Sequence, residues 1–256
     1  MHEPVVVVGL GQMGGVFSHA FLKAGHPVIP VNRDTRWADV TADAPHPALV
    51  LVAVGEGDLH PVLEGMPAVL RSRVGLLQNE LLPRDWERHG ITHPTVAAVW
   101  FEKKKPTPVR VIRPTPVAGP AAELVAGALD GLDIASCVVE PGEPLVHALV
   151  VKNLYILTAN LAGLAVGGTV GELWHRHRDL AMRVADDALQ LQEACVGHPL
   201  PREALVDEMA DAFLADPDHG CRGRSAPARL ERALAQADEL GLELPAIRDL
   251  QAHLGG

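Results

Sequence analysis

Apolar strands alternate with helices through the first 140 residues, and only helices follow. This pattern predicts an α/β doubly wound sheet followed by an all-helical domain. Three observations carry the prediction. Val5-Val6-Val7-Val8 and Ala48-Leu49-Val50-Leu51-Val52-Ala53-Val54 are continuously apolar, as strands covered on both faces must be. Short connections join these strands to helical segments. Glu140-Pro141-Gly142-Glu143-Pro144 is turn chemistry, and nothing beyond it alternates like a strand. The expected domains are therefore residues 1–141 and 142–256.

Each element follows in order. Val5–Val8 forms the first strand and breaks into Gly9-Leu10-Gly11-Gln12-Met13-Gly14. Gln12 to Lys23 reads as a helix closed by Gly25, and Val28-Ile29-Pro30-Val31 as the second strand. The run 48–54 is the third strand, Leu59 to Leu70 a helix and Val74 to Leu77 the fourth strand. Thr95 to Phe101 and Val109 to Ile112 read as strands, the second halted by Pro114 and Pro116. Glu123 to Leu129 is a short helix and Ile134 to Val139 a last strand. Leu145–Leu164, Leu173–Cys195, Arg202–Leu214 and Ala226–Leu240 are the helices of the second domain.

The turn after the first strand has a specific chemistry. A lone Gly-x-Gly-x-x-Gly is weak evidence, but here it leaves a strand, opens a helix and is answered by a second strand at the distance a Rossmann-type unit requires. Gly9 permits the tight turn, Gly11 lets the backbone approach a pyrophosphate, and Gly14 lets helix and strand pack closely. Gly9, Leu10, Gly11, Gln12, Met13 and Gly14 are thus the expected phosphate turn, with free amides at the positive end of a helix. The second strand ends in Asn32-Arg33, with Arg36 one turn on, where an acidic residue would accept bonds from an NAD ribose. A guanidinium suits a 2′-phosphate, so NADP is the expected cofactor. The competing reading makes Arg33 and Arg36 solvated loop charges, and Asp34 a ribose contact. Val54 and Asn79, at the ends of the third and fourth strands, complete the expected cofactor set.

Composition narrows the classes. Of the 256 residues 48% are apolar, enough for a sizeable core, and the net charge of −10 argues against nucleic acid or an anionic membrane as partner. No apolar stretch is expected to reach the ~20 residues of a membrane span, and the opening lacks the charged start of a signal peptide. Cys137, Cys195 and Cys221 form no C-x-x-C pair and suggest a reduced, cytoplasmic setting.

Five lysines stand among 22 basic residues: Lys23, Lys103, Lys104, Lys105 and Lys152. Only Lys152 falls in the helical domain, within Val146-His147-Ala148-Leu149-Val150-Val151-Lys152-Asn153-Leu154-Tyr155-Ile156-Leu157. An ammonium in apolar surroundings can be tuned to give up a proton, which guanidinium cannot do. Lys152 is a candidate general acid; the alternative is a stem that covers apolar surface. Asn160, two turns on, offers a neutral amide to a carbonyl or carboxylate, or else is a polar residue satisfying a helix neighbour. Asn79 follows a strand of the parallel sheet, where ligands gather, although Asn is also a common turn residue. The basic run Lys103-Lys104-Lys105 reads as a solvated loop or guarded edge. His175, His177, His198, His219 and Cys221 match no zinc spacing, so no metal is expected.

Taken together, these residues resemble the ketopantoate reductase (2-dehydropantoate 2-reductase) family, within the 6-phosphogluconate dehydrogenase-like superfamily. The likeness covers most of the chain: a glycine turn, an Asn after the fourth strand, and a helical domain opened by Lys. The ungapped span from Lys152 through Asn160 to Val170-Gly171-Glu172-Leu173 is its most specific part. The resemblance implies hydride transfer from NADPH to the carbonyl of a small 2-oxo acid. It implies that Lys152 protonates the oxygen while Asn79 and Asn160 hold substrate and cofactor, and it suggests a homodimer. Three departures set this chain apart. Ile156 stands where the family has a second Asn, Gly55-Glu56-Gly57 where a Lys is common, and Gly223-Arg224-Ser225-Ala226-Pro227 offers no acid where a Thr-Glu pair is usual. A different carbonyl substrate is therefore expected, one with a more apolar or bulkier tail. The opening glycines with Ala24-Gly25-His26 and Asn32-Arg33 also look like the 3-hydroxyacid dehydrogenase and imine reductase relatives. A non-catalytic NADP-binding sensor is the third reading.

Overall fold

The computed structural model describes residues 2–104 and 106–254, so Lys105 of the basic run lies outside the described residues. The chain separates into two compact units, Met1–Leu149 and Val150–Gly256.

The first unit is a mostly parallel sheet alternating with helices. Its strands are β1 (Val5–Val8), β2 (Val28–Val31), β3 (Leu49–Val52), β4 (Val74–Leu76), β5 (Thr95–Ala97), β8 (Thr115–Ala118) and β9 (Ser136–Val138), in the order β2-β1-β3-β4-β5-β8-β9. Within this sheet, among the described residues, only the β5–β8 pairing is antiparallel. All four β1 valines are buried, as a strand covered on both faces demands. Helix α1 (Gln12–Lys23) lays Phe17 and Phe21, one turn apart and fully buried, into this core. Burial of each ring contributes about 1.5–3 kcal/mol. Gly25, at φ +87°, takes the left-handed position after the helix, where a Cβ would be strained. Helices α2 (Trp37–Asp43), α3 (Leu59–Gly65), α4 (Pro83–Glu87) and α5 (Ala122–Asp130) complete the unit.

Several sequence expectations are corrected. The helix expected over Leu59–Leu70 stops at Gly65, and a 3-10 turn, Ala68–Arg73, follows Pro67. Proline lacks an N–H and disfavours helical backbone in the residue before it. The run Thr95–Phe101 is two strands: β5 belongs to the large sheet, whereas β6 (Phe101–Glu102) pairs with β7 (Arg110–Val111) in a separate ribbon. The break is stabilised by Thr115 Oγ1, which accepts the Trp100 N–H at 3.0 Å. Pro116 does not end strand structure but lies inside β8. Towards β9 that strand uses Thr115 N–H and the Val117 carbonyl, and the Pro116 carbonyl accepts Ala98 N–H at 2.9 Å. Ala98 and Pro116 stand opposite each other in that antiparallel pairing, so proline leaves the return bond to the Ala98 carbonyl unmade, at the place where β5 has already ended at Ala97.

The second unit is helical. Helix α6 (Glu143–Val166) runs into it from the first, followed by α7 (Val170–Arg176), α8 (Arg178–Val196), α9 (Arg202–Ala215), α10 (Ala226–Leu240) and α11 (Pro245–Leu254). The expected Leu173–Cys195 helix is broken at His177, which leaves helical backbone at ψ 34°. Helix α11 is an addition. Its start is capped from another helix: Asp187, buried in α8, accepts the Ile247 N–H at 2.9 Å. The expectation that no apolar stretch reaches the length of a membrane span is corrected, because α6 is long and apolar enough by length and composition, with a window of mean hydropathy 1.6. That window is 78% buried within the protein, the character of a core helix.

Candidate functional site

The carboxyl ends of β1, β2 and β3 enclose a cleft of about 590 Å³, lined by Gly9, Gly11, Asn32, Arg33 and Val54 from the expected set. This is where an open sheet changes winding direction and where ligands of such sheets gather. The three glycines divide the work. Gly9 sits at φ +89°, and a Cβ there would crowd Val54 and the Ala53 carbonyl. A Cβ on Gly14 would press into the Gly9 carbonyl, so this glycine brings α1 against the turn. Gly11 differs: its backbone is unstrained, and a Cβ would meet no protein atom within 4 Å. The space over Gly11 is open cleft at a helix N-terminus, which is what a pyrophosphate requires. The residues present fit a dinucleotide.

The remaining lining residues lay outside the sequence reading. Trp37, Pro61 and Val62 give the cleft an apolar wall suited to a purine, and Thr35 and Asp58 give it oxygens. Thr35 Oγ1 accepts the Asn32 N–H at 3.0 Å and so fixes the end of β2. Trp37 was the one sequence signal, an aromatic just past the second strand.

Arg33 lines the cleft with a side chain 91% exposed, and its Nη2 donates to Asp58 Oδ2 at 3.4 Å. Arg36 turns to its own helix instead, where it pairs bidentately with Asp39 at 3.0 and 2.7 Å. Leu10, Gln12, Met13 and Gly14 build the turn without lining the cleft as Gly11 does. Asn79 lies at the end of β4, where its Nδ2 donates to Glu56 Oε1 at 2.9 Å. Beside it Gln78, buried, donates to the Val52 and Val54 carbonyls at 2.7 and 3.2 Å and ties the ends of β3 and β4 together.

In the second unit Lys152 is 3% exposed, buried midway along α6. It is the one buried lysine among the described residues. An ammonium costs several kcal/mol to take out of water, so a surface-covering role with the head in solvent does not describe it. Ile156, one turn later, is half-buried. Asn160 lies about 12 Å from Lys152 along the helix axis. Both ends of its amide are engaged: Nδ2 donates to the Cys221 carbonyl at 3.0 Å, and Oδ1 accepts from Arg229 Nη1 at 2.8 Å. Asn160 therefore docks the start of α10 against α6. The Val170-Gly171-Glu172-Leu173 segment also has a structural cause. Thr169 and Glu172 form a reciprocal cap at the start of α7, with bonds of 3.2 and 3.1 Å. Gly171 has Pro217 too close for a Cβ. His175 and His177 are exposed, and among the described residues no cluster of His, Cys, Asp or Glu could hold a metal.

By sequence, no protein-family model and no curated protein matches the chain. By structure the likeness is extensive. A PanE/ApbA family ketopantoate reductase from Ralstonia eutropha JMP134 superposes with a TM-score of 0.67 at 19% identity, covering 97% of this chain and 96% of its own. A dimeric ketopantoate reductase from Staphylococcus aureus gives 0.67 at 17% identity, with 98% and 97% covered. D-Mandelate dehydrogenase in complex with NADH gives 0.66 at 12% identity, with 97% and 96% covered. The chain thus has, over nearly its whole length, the fold of the ketopantoate reductases and of D-mandelate dehydrogenase: a mostly parallel α/β sheet followed by an all-helical region.

Proposed function

We propose that this chain is an NADPH-dependent reductase acting on the carbonyl of a small 2-oxo acid other than ketopantoate. The observation that carries the reading is the open space over Gly11 in a cleft that Asn32 and Arg33 also line. The turn amides at the start of α1 hold the pyrophosphate, Trp37, Pro61 and Val62 take the purine, and Arg33 receives the 2′-phosphate as a planar fork of donors. Asn79, fixed by Glu56, lies at the end of β4 for the ribose or substrate. The dinucleotide, when bound, supplies the hydride.

Lys152 supplies the proton. As the carbonyl carbon gains electrons, negative charge builds on its oxygen, and a desolvated ammonium stabilises that charge before transferring a proton to it. Asn160, tied to Arg229 and Cys221, keeps the walls of the helical unit in place. Ile156 and Ser225 put an apolar side chain and a small hydroxyl where the resembling family has amide and carboxylate, which favours a substrate with an apolar or bulkier tail. D-Mandelate dehydrogenase, solved with NADH and anilino(oxo)acetate, is a fold relative whose complex contains an aromatic oxo acid derivative.

The test is NADPH consumption by the full chain against a panel of 2-oxo acids, 3-oxo acids and imines. Turnover is expected with aryl or branched 2-oxo acids, and weakly if at all with ketopantoate. Tight NADPH binding without oxidation across the panel would make the protein a sensor instead, and efficient ketopantoate reduction would refute the substrate reading.

A further inference from the structure

Arg33 shares its side of the cleft with a carboxylate. Asp58 also lines it, and its Oδ2 accepts from Arg33 Nη2 at 3.4 Å. The acid comes from the turn after β3, 25 residues away, where its N–H is fixed on the Gly55 carbonyl at 3.0 Å. The pair is exposed, 91% for Arg33 and 57% for Asp58, so it opens at little cost and does not consume the guanidinium.

The two groups treat the two nicotinamide dinucleotides in opposite ways. A 2′-phosphate gains the guanidinium fork but brings its charge up against the Asp58 carboxylate. A 2′-hydroxyl can accept from Arg33 and donate to Asp58, so both protein groups keep a partner. We propose that Asp58 is a specificity-determining residue that moderates the preference of this cleft for NADPH, so that NADH binds as a second cofactor. This rests on the reading of the cleft as a dinucleotide site. Arg33 favours the phosphate, Asp58 opposes it, and the difference between them sets the ratio of affinities.

The test is fluorescence titration of NADPH and NADH into the full chain and into Asp58→Asn, Asp58→Ala and Arg33→Ala. Both replaced side chains are exposed, and thermal melts verify folding. The unmodified chain is expected to favour NADPH by no more than about tenfold, near 1.4 kcal/mol. Asp58→Asn and Asp58→Ala should widen that ratio, tightening NADPH and weakening NADH, most strongly at low salt. Arg33→Ala should bring the ratio to unity or invert it. An unchanged ratio in both Asp58 variants, with both nucleotides still bound, would overturn the role of Asp58 alone. Failure of the unmodified chain to bind either nucleotide would overturn the dinucleotide reading and this inference with it.

Discussion

Replacing Gly11 and Gly14 separately distinguishes a glycine kept for a ligand from one kept for the fold. The Gly11 backbone (φ −66°, ψ −162°) is open to any L-residue, and its Cβ would meet no protein atom within 4 Å. For Gly11→Ala the loss of unfolded-chain entropy stabilises by about 0.4–1 kcal/mol. The poorer N-cap costs about as much, since Ala ranks well below Gly there. Folding stability should therefore stay within about 0.5 kcal/mol of the parent, while Gly11→Val fills the cradle and abolishes NADPH binding. For Gly14→Ala the new Cβ falls 3.0 Å from the Gly9 carbonyl carbon and nearer still to its oxygen, well inside the ~3.5–4.0 Å optimum. Neither backbone can yield without opening the α1–β1 packing, so a loss of about 1–3 kcal/mol or more is expected. Urea titrations read the stability, and fluorescence titration with NADPH reads the site. Normal NADPH affinity in a folded Gly11→Val variant would move the phosphate site elsewhere. Parental stability in Gly14→Ala would refute the close-approach argument.

Two further outcomes are expected. Lys152→Met and Lys152→Ala should lower turnover by ~10²–10⁴ with NADPH affinity nearly unchanged. Lys152→Arg should rescue little, because guanidinium keeps the charge but not the labile proton; near-normal single-turnover rates in Lys152→Met would end the general-acid role. Acid sensitivity should trace to the pair His60 and His89, whose Nδ1 and Nε2 lie 2.9 Å apart with Asp85 3.9 Å from the other His60 nitrogen. Burial first, and His60 next, hold His89 below its ordinary value, with Arg88 and Arg71 acting in the same direction and Glu64 against it. A lowered folded value means the unfolded chain takes up the proton first. This contribution is therefore complete above roughly pH 6.5 and is lost as pH falls through the folded value. His89→Gln should flatten the acid limb of urea midpoints measured from pH 5 to 8, and an unchanged slope would show that the pair is not responsible.

The amino-acid sequence alone determined the parts whose causes are local. The four-valine strand, the glycine turn, helix Gln12–Lys23 and the strand Val28–Val31 stand in the structure with those bounds, because apolar runs, turn glycines and helical spacing act within a few residues. The break to an all-helical region was equally legible, since loss of alternation and turn chemistry are both written in consecutive residues. Tertiary structure decided the rest. Whether Thr95–Phe101 is one strand or two depends on Thr115 and on which sheet each half joins, and β8 continues through Pro116 because β9 bonds to Thr115 and Val117 on its other edge. The start of α11 is held by Asp187, 60 residues away. The cleft follows the same division. Its glycines and Arg33 were readable from one β–α–β unit, but Asp58, Pro61 and Val62 reach it only because β3 pairs beside β1. A carboxylate brought to a guanidinium from 25 residues along the chain leaves no mark in local spacing, since the sheet, not the sequence interval, sets their distance.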